Sequence, residues 1–258
     1  MHPDTLLTIY LCVWLFAAGA VLGSFVDCAV WRWARGEAMF RGRSRCAGCG
    51  HTLSALELVP VFSYLFSRGK CRRCGGKIPA ECLWAELAGG LGFVCFGVRF
   101  GLSPELAQWL ILGGLLLTVA LTDAARRIIP DRFLLAMAAN RVVWFFVLGQ
   151  PFWGTVKEML ISCAVPAALL VFVLFAEKLW KKEAMGGGDI KLLLALALYL
   201  SWAQLLLALL AGCLLGIVGG LAGRNRGPMA FGPYLAAAAV GAACFGGPLI
   251  DWYLGLLI

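Results

Sequence analysis

Long apolar stretches alternate with short polar ones along the whole chain. The apolar runs occupy residues 6–30, 83–100, 105–122, 132–149, 155–178, 190–201, 203–222 and 232–257. A helix needs about 20 residues to cross the hydrocarbon layer of a bilayer, and most of these runs are of that order. The run at 190–201 is short, and 190–222 also reads as a tilted helix followed by a re-entrant piece. The period-two alternation of a membrane barrel is absent. Within lipid only helices and closed barrels satisfy every backbone polar group, so the runs mean helices. The pattern predicts an all-α polytopic membrane protein with about eight transmembrane helices.

Composition supports this. The chain has 258 residues, of which 62% are hydrophobic and 14% charged. A soluble domain is about 45–50% apolar and about 25% charged. The net charge is +8, which in a soluble protein would point to nucleic acid. Here the charge follows topology. Loop 31–82 carries Arg32, Arg35, Arg41, Arg43, Arg45, Arg68, Lys70, Arg72, Arg73 and Lys77. The loops near 123–132, 178–191 and 224–226 add Arg126, Arg127, Arg132, Lys178, Lys181, Lys182, Lys191, Arg224 and Arg226. The opposite side has little beyond Arg99 and Lys157. Basic loops stay in the cytoplasm, so both termini are expected outside, and no nucleic-acid partner is needed to explain the charge. The lipid bilayer is the expected surrounding. Arg141, beside Asn140 in the fourth run, either snorkels or lines a polar interior. The first run is too long for a cleavable signal and lacks a typical small-residue cleavage site.

One polar stretch, 31–82, is long enough to be a domain but too small to build a convincing core. The expected organisation is a first transmembrane helix at 1–30, a cytoplasmic domain at 31–82 and a membrane domain at 83–258. Seven of the eleven cysteines lie in or beside apolar runs and read as small buried side chains. The other four form two Cys-x-x-Cys pairs, "CAGCGH" with Cys46 and Cys49, and "CRRCGG" with Cys71 and Cys74. Each pair is followed by glycine, Gly50 or Gly75, which lets the chain turn its amides toward sulfur. This is the spacing of a four-thiolate zinc site, whose bound metal would supply folding energy in place of a core. Such a site is structural, because four thiolates leave no open coordination position. Disulfides or free thiols are the other readings, and a cytoplasmic location disfavours disulfides. His51 reads as a surface residue or a further ligand.

Acidic residues near the membrane are few. Asp123 lies at the cytoplasmic end of the third run, Asp131 eight residues later, and Asp189 opens the sixth run behind Gly186, Gly187 and Gly188. Asp123 and Asp189 therefore share a depth on one side while sitting on different helices. Two carboxylates meeting in a partly dry site share a proton, so that one takes a proton from water while the other donates to a carbonyl. The alternative is that both only cap helices or pair with Arg126, Arg127 or Lys191. A transporter or channel using carboxylates as an ion relay is a third possibility, although a transport site belongs near the midplane.

Several motifs together resemble one family. "MGGGDIK" (185–191) looks like the Gly-x-Gly-Asp signature of the type IV prepilin peptidases. "LGSFVDCAVWR" (22–32), "ELVPVFSYLFSRGKCRRCGGKIP" (57–79), "DAARRIIPD" (123–131) and "FGPYLA" (231–236) are similar to the family's other motifs. The resemblance implies a membrane aspartic endopeptidase of the bacterial cytoplasmic (inner) membrane, with Asp123 and Asp189 as the catalytic pair. Asp131 matches a motif position with no catalytic role. The glycines 186–188 would form a substrate-binding loop. The implied substrates are prepilins or pseudopilins, which carry a short basic leader ahead of a hydrophobic helix. Many members also methylate the new amino terminus with S-adenosylmethionine. No strand–helix glycine fingerprint locates that donor. Asp27 stands where the family usually has asparagine, and "RWARG" (32–36) replaces Arg-Leu-Pro. Both departures flank the first basic loop, so the donor is expected near it, with Glu57 or Glu86 as a proton acceptor.

Overall fold

The structure is a computed structural model that describes residues 3–39, 42–181, 185–222 and 229–256. Arg41, Lys182, Arg224 and Arg226 of the basic loops lie outside the described residues. The described secondary structure is helical, apart from two isolated antiparallel bridges, Arg45–Thr52 and Lys70–Lys77. Contacts divide the chain into two compact units, Met1–Leu121 and Thr122–Ile258.

In the first unit, α1 (Pro3–Ala34) packs along α3 (Ala80–Phe100). Small residues make this possible. Gly19 and Gly23 are four apart on α1, and Ala85 and Gly89 are four apart on α3. A Cβ on Gly19 would collide with the Gly89 carbonyl, and one on Gly23 with the Ala85 carbonyl. Lipid offers apolar helices no hydrophobic reason to associate, so close backbone approach through small residues supplies the packing. Between these helices, the polar segment holds a short 3₁₀ turn (Ala55–Leu58) and a five-residue helix, α2 (Phe62–Phe66). The helix α4 (Pro104–Arg126) starts in the first unit and carries Asp123 in its last turn.

The second unit contains α5 (Asp131–Val147), α6 (Phe152–Trp180), α7 (Gly187–Leu196), α8 (Trp202–Ala222) and α9 (Gly232–Gly255). Among the described residues, six helices are long and apolar enough to cross a membrane: α1, α3, α4, α6, α8 and α9. The expected fourth span, α5, has 17 residues, and the expected sixth is the ten-residue helix α7. The short run 190–201 is thus a ten-residue helix and a break ahead of α8, and the expected count of about eight helices holds approximately, with α5 and α7 the short ones.

The break after α7 explains Arg141. Its Nε donates to the Leu198 carbonyl at 2.8 Å, and its guanidinium lies 5.9 Å from the Tyr199 ring centre. Asn140 donates to the Tyr199 hydroxyl at 3.0 Å, and that hydroxyl donates to the Met137 carbonyl. A helix end leaves carbonyls without partners, and inside a bilayer these must find donors in the protein. Arg141 thus lines a polar interior and caps the break. The outer faces of the long helices are apolar, as shown by exposed Leu170, Val171, Phe172, Leu174 and Phe175 on α6. Such a face suits lipid contact.

Candidate active site

Two helix ends meet around Asp123, the close of α4 and the start of α9. The helix α4 closes with Arg127 in the left-handed region at φ 55°, its amide donating to the Asp123 carbonyl at 2.7 Å. Pro130 then precedes α5, as expected for a residue that cannot continue a helix. Asp123 is therefore in the last turn of α4 and is 6% exposed. Its Oδ2 accepts a buried hydrogen bond of 2.8 Å from the Gly232 amide at the start of α9. Arg127 is the cation whose charge bears on it.

Asp189 occupies the first turn of α7, its amide donating to the Gly186 carbonyl at 3.0 Å. It is half-buried. Its carboxyl is pushed up to about 6, first by burial and then by the charge of Asp123. The charge of Asp123 thus bears on Asp189 within one unit, as sharing a proton would require. Asp131 is set apart: Lys191 donates to its Oδ1 at 2.8 Å and its Oδ2 at 3.1 Å, and both side chains are exposed.

The glycines before Asp189 serve close approach. None of Gly186, Gly187 and Gly188 has positive φ. A Cβ on Gly186 would lie 3.1 Å from Asp189 Oδ2, and one on Gly188 3.3 Å from Ile129. Gly187 is exposed, with nothing within 4 Å of its Cβ position. Glycine thus keeps the rim beside Asp189 low. The role of Gly232 was not read from sequence. The signal was present in "FGPY": a Gly-Pro at the start of an apolar run marks a helix start, where free amides point outward.

In the first unit, the four loop cysteines come together. The sulfurs of Cys46, Cys49, Cys71 and Cys74 all lie within 4.8 Å of one another, with Cys46 and Cys74 3.9 Å apart. Sulfurs arranged tetrahedrally around an ion bound at about 2.3 Å are about 3.8 Å apart, so this set can hold a metal ion. No described cysteine forms a disulfide. The two pairs fold alike. Cys46 N donates to His51 O and Gly50 N to Cys46 O, while Cys71 N donates to Gly76 O and Gly75 N to Cys71 O. Gly50 and Gly75 both have φ +69°, so each knuckle needs the glycine that follows it. Amides of Cys49 and Gly48 face the Cys46 sulfur and draw its thiol down to about 7. His51 is outside the sulfur cluster, with Nε2 3.7 Å from Glu57.

Beside these knuckles is a cavity of about 220 Å³, lined by Ser24, Asp27 and Trp31 of α1, by Tyr64 and Lys70, and by Glu86 of α3. Glu86 accepts from the Val61 amide at 2.6 Å. Glu57, also on the wall, has its Oε2 taken by the amide and hydroxyl of Ser54 at 2.9 and 2.8 Å.

Comparison with known proteins agrees with the motifs. Residues 17–100 match the bacterial peptidase A24 N-terminal domain, and residues 110–221 match the type IV leader peptidase family. A prepilin leader peptidase/N-methyltransferase of Bacillus subtilis (strain 168) is 33% identical over 95% of this chain and 98% of its own length. A protein of the same name from Aeromonas hydrophila is 36% identical over 82% of this chain and 74% of its own. One from Myxococcus xanthus (strain DK1622) is 34% identical over 84% of this chain and 65% of its own. No solved structure gives a significant match. With both domains matched in order and a full-length relative at this identity, the chain belongs to the type IV leader peptidase family.

Proposed function

We propose that this protein is a membrane aspartic endopeptidase that removes the short basic leader of prepilins or pseudopilins at the cytoplasmic face of the inner membrane, with Asp123 and Asp189 as its catalytic pair. One carboxylate takes a proton from the attacking water, and the other protonates the carbonyl oxygen of the scissile bond. The observation that carries the reading is that buried Asp123, ending α4, and half-buried Asp189, opening α7, lie close enough for the charge of the first to bear on the second. The low glycine rim gives an extended substrate backbone room to reach them. The positive-inside rule puts the basic loops with these helix ends in the cytoplasm and both termini outside. The ion-relay alternative gains nothing, because the family is one of peptidases. Incubating the purified protein in detergent with a prepilin, and weighing the product for loss of the leader, tests the reading.

The four-cysteine cluster is assigned to a structural zinc, which would order the 31–82 domain between the first helix at 1–30 and the membrane domain at 83–258. A second activity, methylation of the new amino terminus, is assigned to the first unit. S-adenosylmethionine supplies an electrophilic methyl group on a sulfonium centre. The cavity beside the knuckles has Asp27 and Glu86 near aromatic Trp31 and Tyr64, and Arg45, Lys70, Arg72 and Lys77 also line it, so the sulfonium would sit toward the two acids. Glu86, buried on α3, is the acid we assign to accept the proton that the amine must lose, although one oxygen of each acid is already held, that of Glu57 by Ser54 and that of Glu86 by the Val61 amide. Calorimetric titration of the protein with S-adenosylmethionine, repeated on Glu86→Gln and Glu57→Gln, separates the two acids. Weakened binding, or cleaved but unmethylated product, is expected only for Glu86→Gln.

A further inference from the structure

The two catalytic acids do not have equivalent surroundings. Asp123 accepts the buried Gly232 amide at 2.8 Å, and Arg127 on the turn after α4 adds a cation. Asp189 has no hydrogen-bond donor to its carboxylate among the described residues, and the lysine two residues on, Lys191, is engaged with Asp131. Both acids sit near helix starts, Asp189 in the first turn of α7 and Asp123 against the first turn of α9. The start of α7 favours charge on Asp189, whereas Asp123 has the start of α9 in its favour and the carbonyl end of its own helix α4 against it. The direct amide bond decides for Asp123, because a hydrogen bond to an ionised acceptor is stronger than one to a neutral group.

We infer that Gly232 is a positioning residue for this pair: its backbone amide holds Asp123 as the charged carboxylate that activates water and leaves Asp189 to carry the proton given to the scissile carbonyl. The inference rests on the catalytic pair proposed above and adds a division of labour to it. During the step, water loses a proton to an Asp123 oxygen as its own oxygen bonds the carbonyl carbon. The carbonyl π pair moves to oxygen and takes the Asp189 proton.

Only glycine permits this arrangement. A Cβ on residue 232 would lie 2.7 Å from Asp123 Oδ2 and 3.1 Å from its Cβ and Cγ. Pro233 follows, so the next position has no amide to offer in place of the Gly232 donor. The groups facing Asp123 are thus the Gly232 amide from α9, Arg127 after α4 and Asp189 from α7. The raised carboxyl of Asp189 is consistent with its holding the shared proton.

The test removes the amide without adding an atom. The Phe231–Gly232 peptide bond is replaced by an ester in the full-length protein, and cleavage of a prepilin peptide is followed against pH. The expected result is a kcat lowered roughly tenfold, KM little changed, and the acidic limb of the profile moved to higher pH while the basic limb stays. Gly232→Ala, which pushes the Asp123 carboxylate aside, should cost roughly 100-fold in kcat. An ester protein with an unmoved acidic limb overturns the inference. If Asp123→Asn retains turnover, the catalytic pair itself is wrong, which is a separate failure. Should the ester protein not insert, infrared difference spectra at about pH 6 decide. A protonated-carboxyl band lost on Asp189→Asn supports the assignment, and one lost only on Asp123→Asn overturns it.

Discussion

Lys191 on α7 grips both oxygens of Asp131 at the start of α5, at 2.8 and 3.1 Å. This pair ties α7, which carries Asp189, to the start of α5, eight residues after Asp123, yet both of its side chains are exposed. An exposed ion pair contributes about 0–1 kcal/mol. Asp131→Asn should therefore change prepilin cleavage by less than about fivefold, measured as kcat/KM on the purified protein. A loss as large as that of Asp123→Asn would move Asp131 into the chemistry.

The sulfur cluster predicts one zinc per chain. Replacing Cys46, Cys49, Cys71 or Cys74 with serine should each lower the metal content, measured by elemental analysis of protein purified without chelator. It should also make the 31–82 segment more susceptible to proteolysis, because metal binding is folding energy for such a domain. Cys12→Ser and Cys213→Ser, which lie outside the cluster, should leave the metal in place.

The α1–α3 seam depends on the absence of side chains. Gly19→Leu or Gly89→Leu would drive a side chain into the facing backbone. Each should destabilise the first unit by at least the roughly 1–3 kcal/mol of an overpacked core, read as a lower melting temperature in detergent. Gly92→Leu, where a Cβ meets nothing within 4 Å, is the control that should keep the parental melting temperature.

The pH dependence follows from Asp189. Its carboxyl is raised from 3.8 to about 6, so the folded protein holds this proton more tightly than the unfolded chain. Stability from this group is fully present below pH 3.8 and is lost as pH rises through about 6. Asp189→Asn should flatten that part of the stability profile, measured by denaturation in detergent at a series of pH values. In catalysis the same proton is the one donated, so cleavage should fall as pH rises above the constant of the pair.

Much of this was legible in the chain. The apolar runs gave the helices, because lipid leaves a spanning segment few other choices. The Cys-x-x-Cys-Gly repeats gave the knuckles, because local hydrogen bonds and one positive-φ glycine define each. Asp123 and Asp189 were readable as acids at two helix ends, and the charge of the first does bear on the second. An interruption within 190–222 was readable, but its place after Leu196 was not, because it depends on Arg141 and Asn140 from another helix satisfying the chain around Tyr199. Nor was the Gly232 amide, which reaches Asp123 across 109 residues. Hydropathy registers neither, since each is a tertiary hydrogen bond. The three glycines before Asp189 were expected to form a loop, whereas Gly187 and Gly188 lie in the first turn of α7 and none of the three has positive φ.

The central claim is that Asp123 and Asp189 jointly cut the prepilin leader. The most direct measurement is single-turnover cleavage of a prepilin by purified parent, Asp123→Asn and Asp189→Asn proteins, with mass spectrometry of the product and melting temperatures alongside. The account predicts leader removal by the parent only, with cleavage lowered at least 1,000-fold in each variant, of the order seen on removing one member of a catalytic set, and parental melting temperatures throughout. Normal cleavage by either well-folded variant would contradict it.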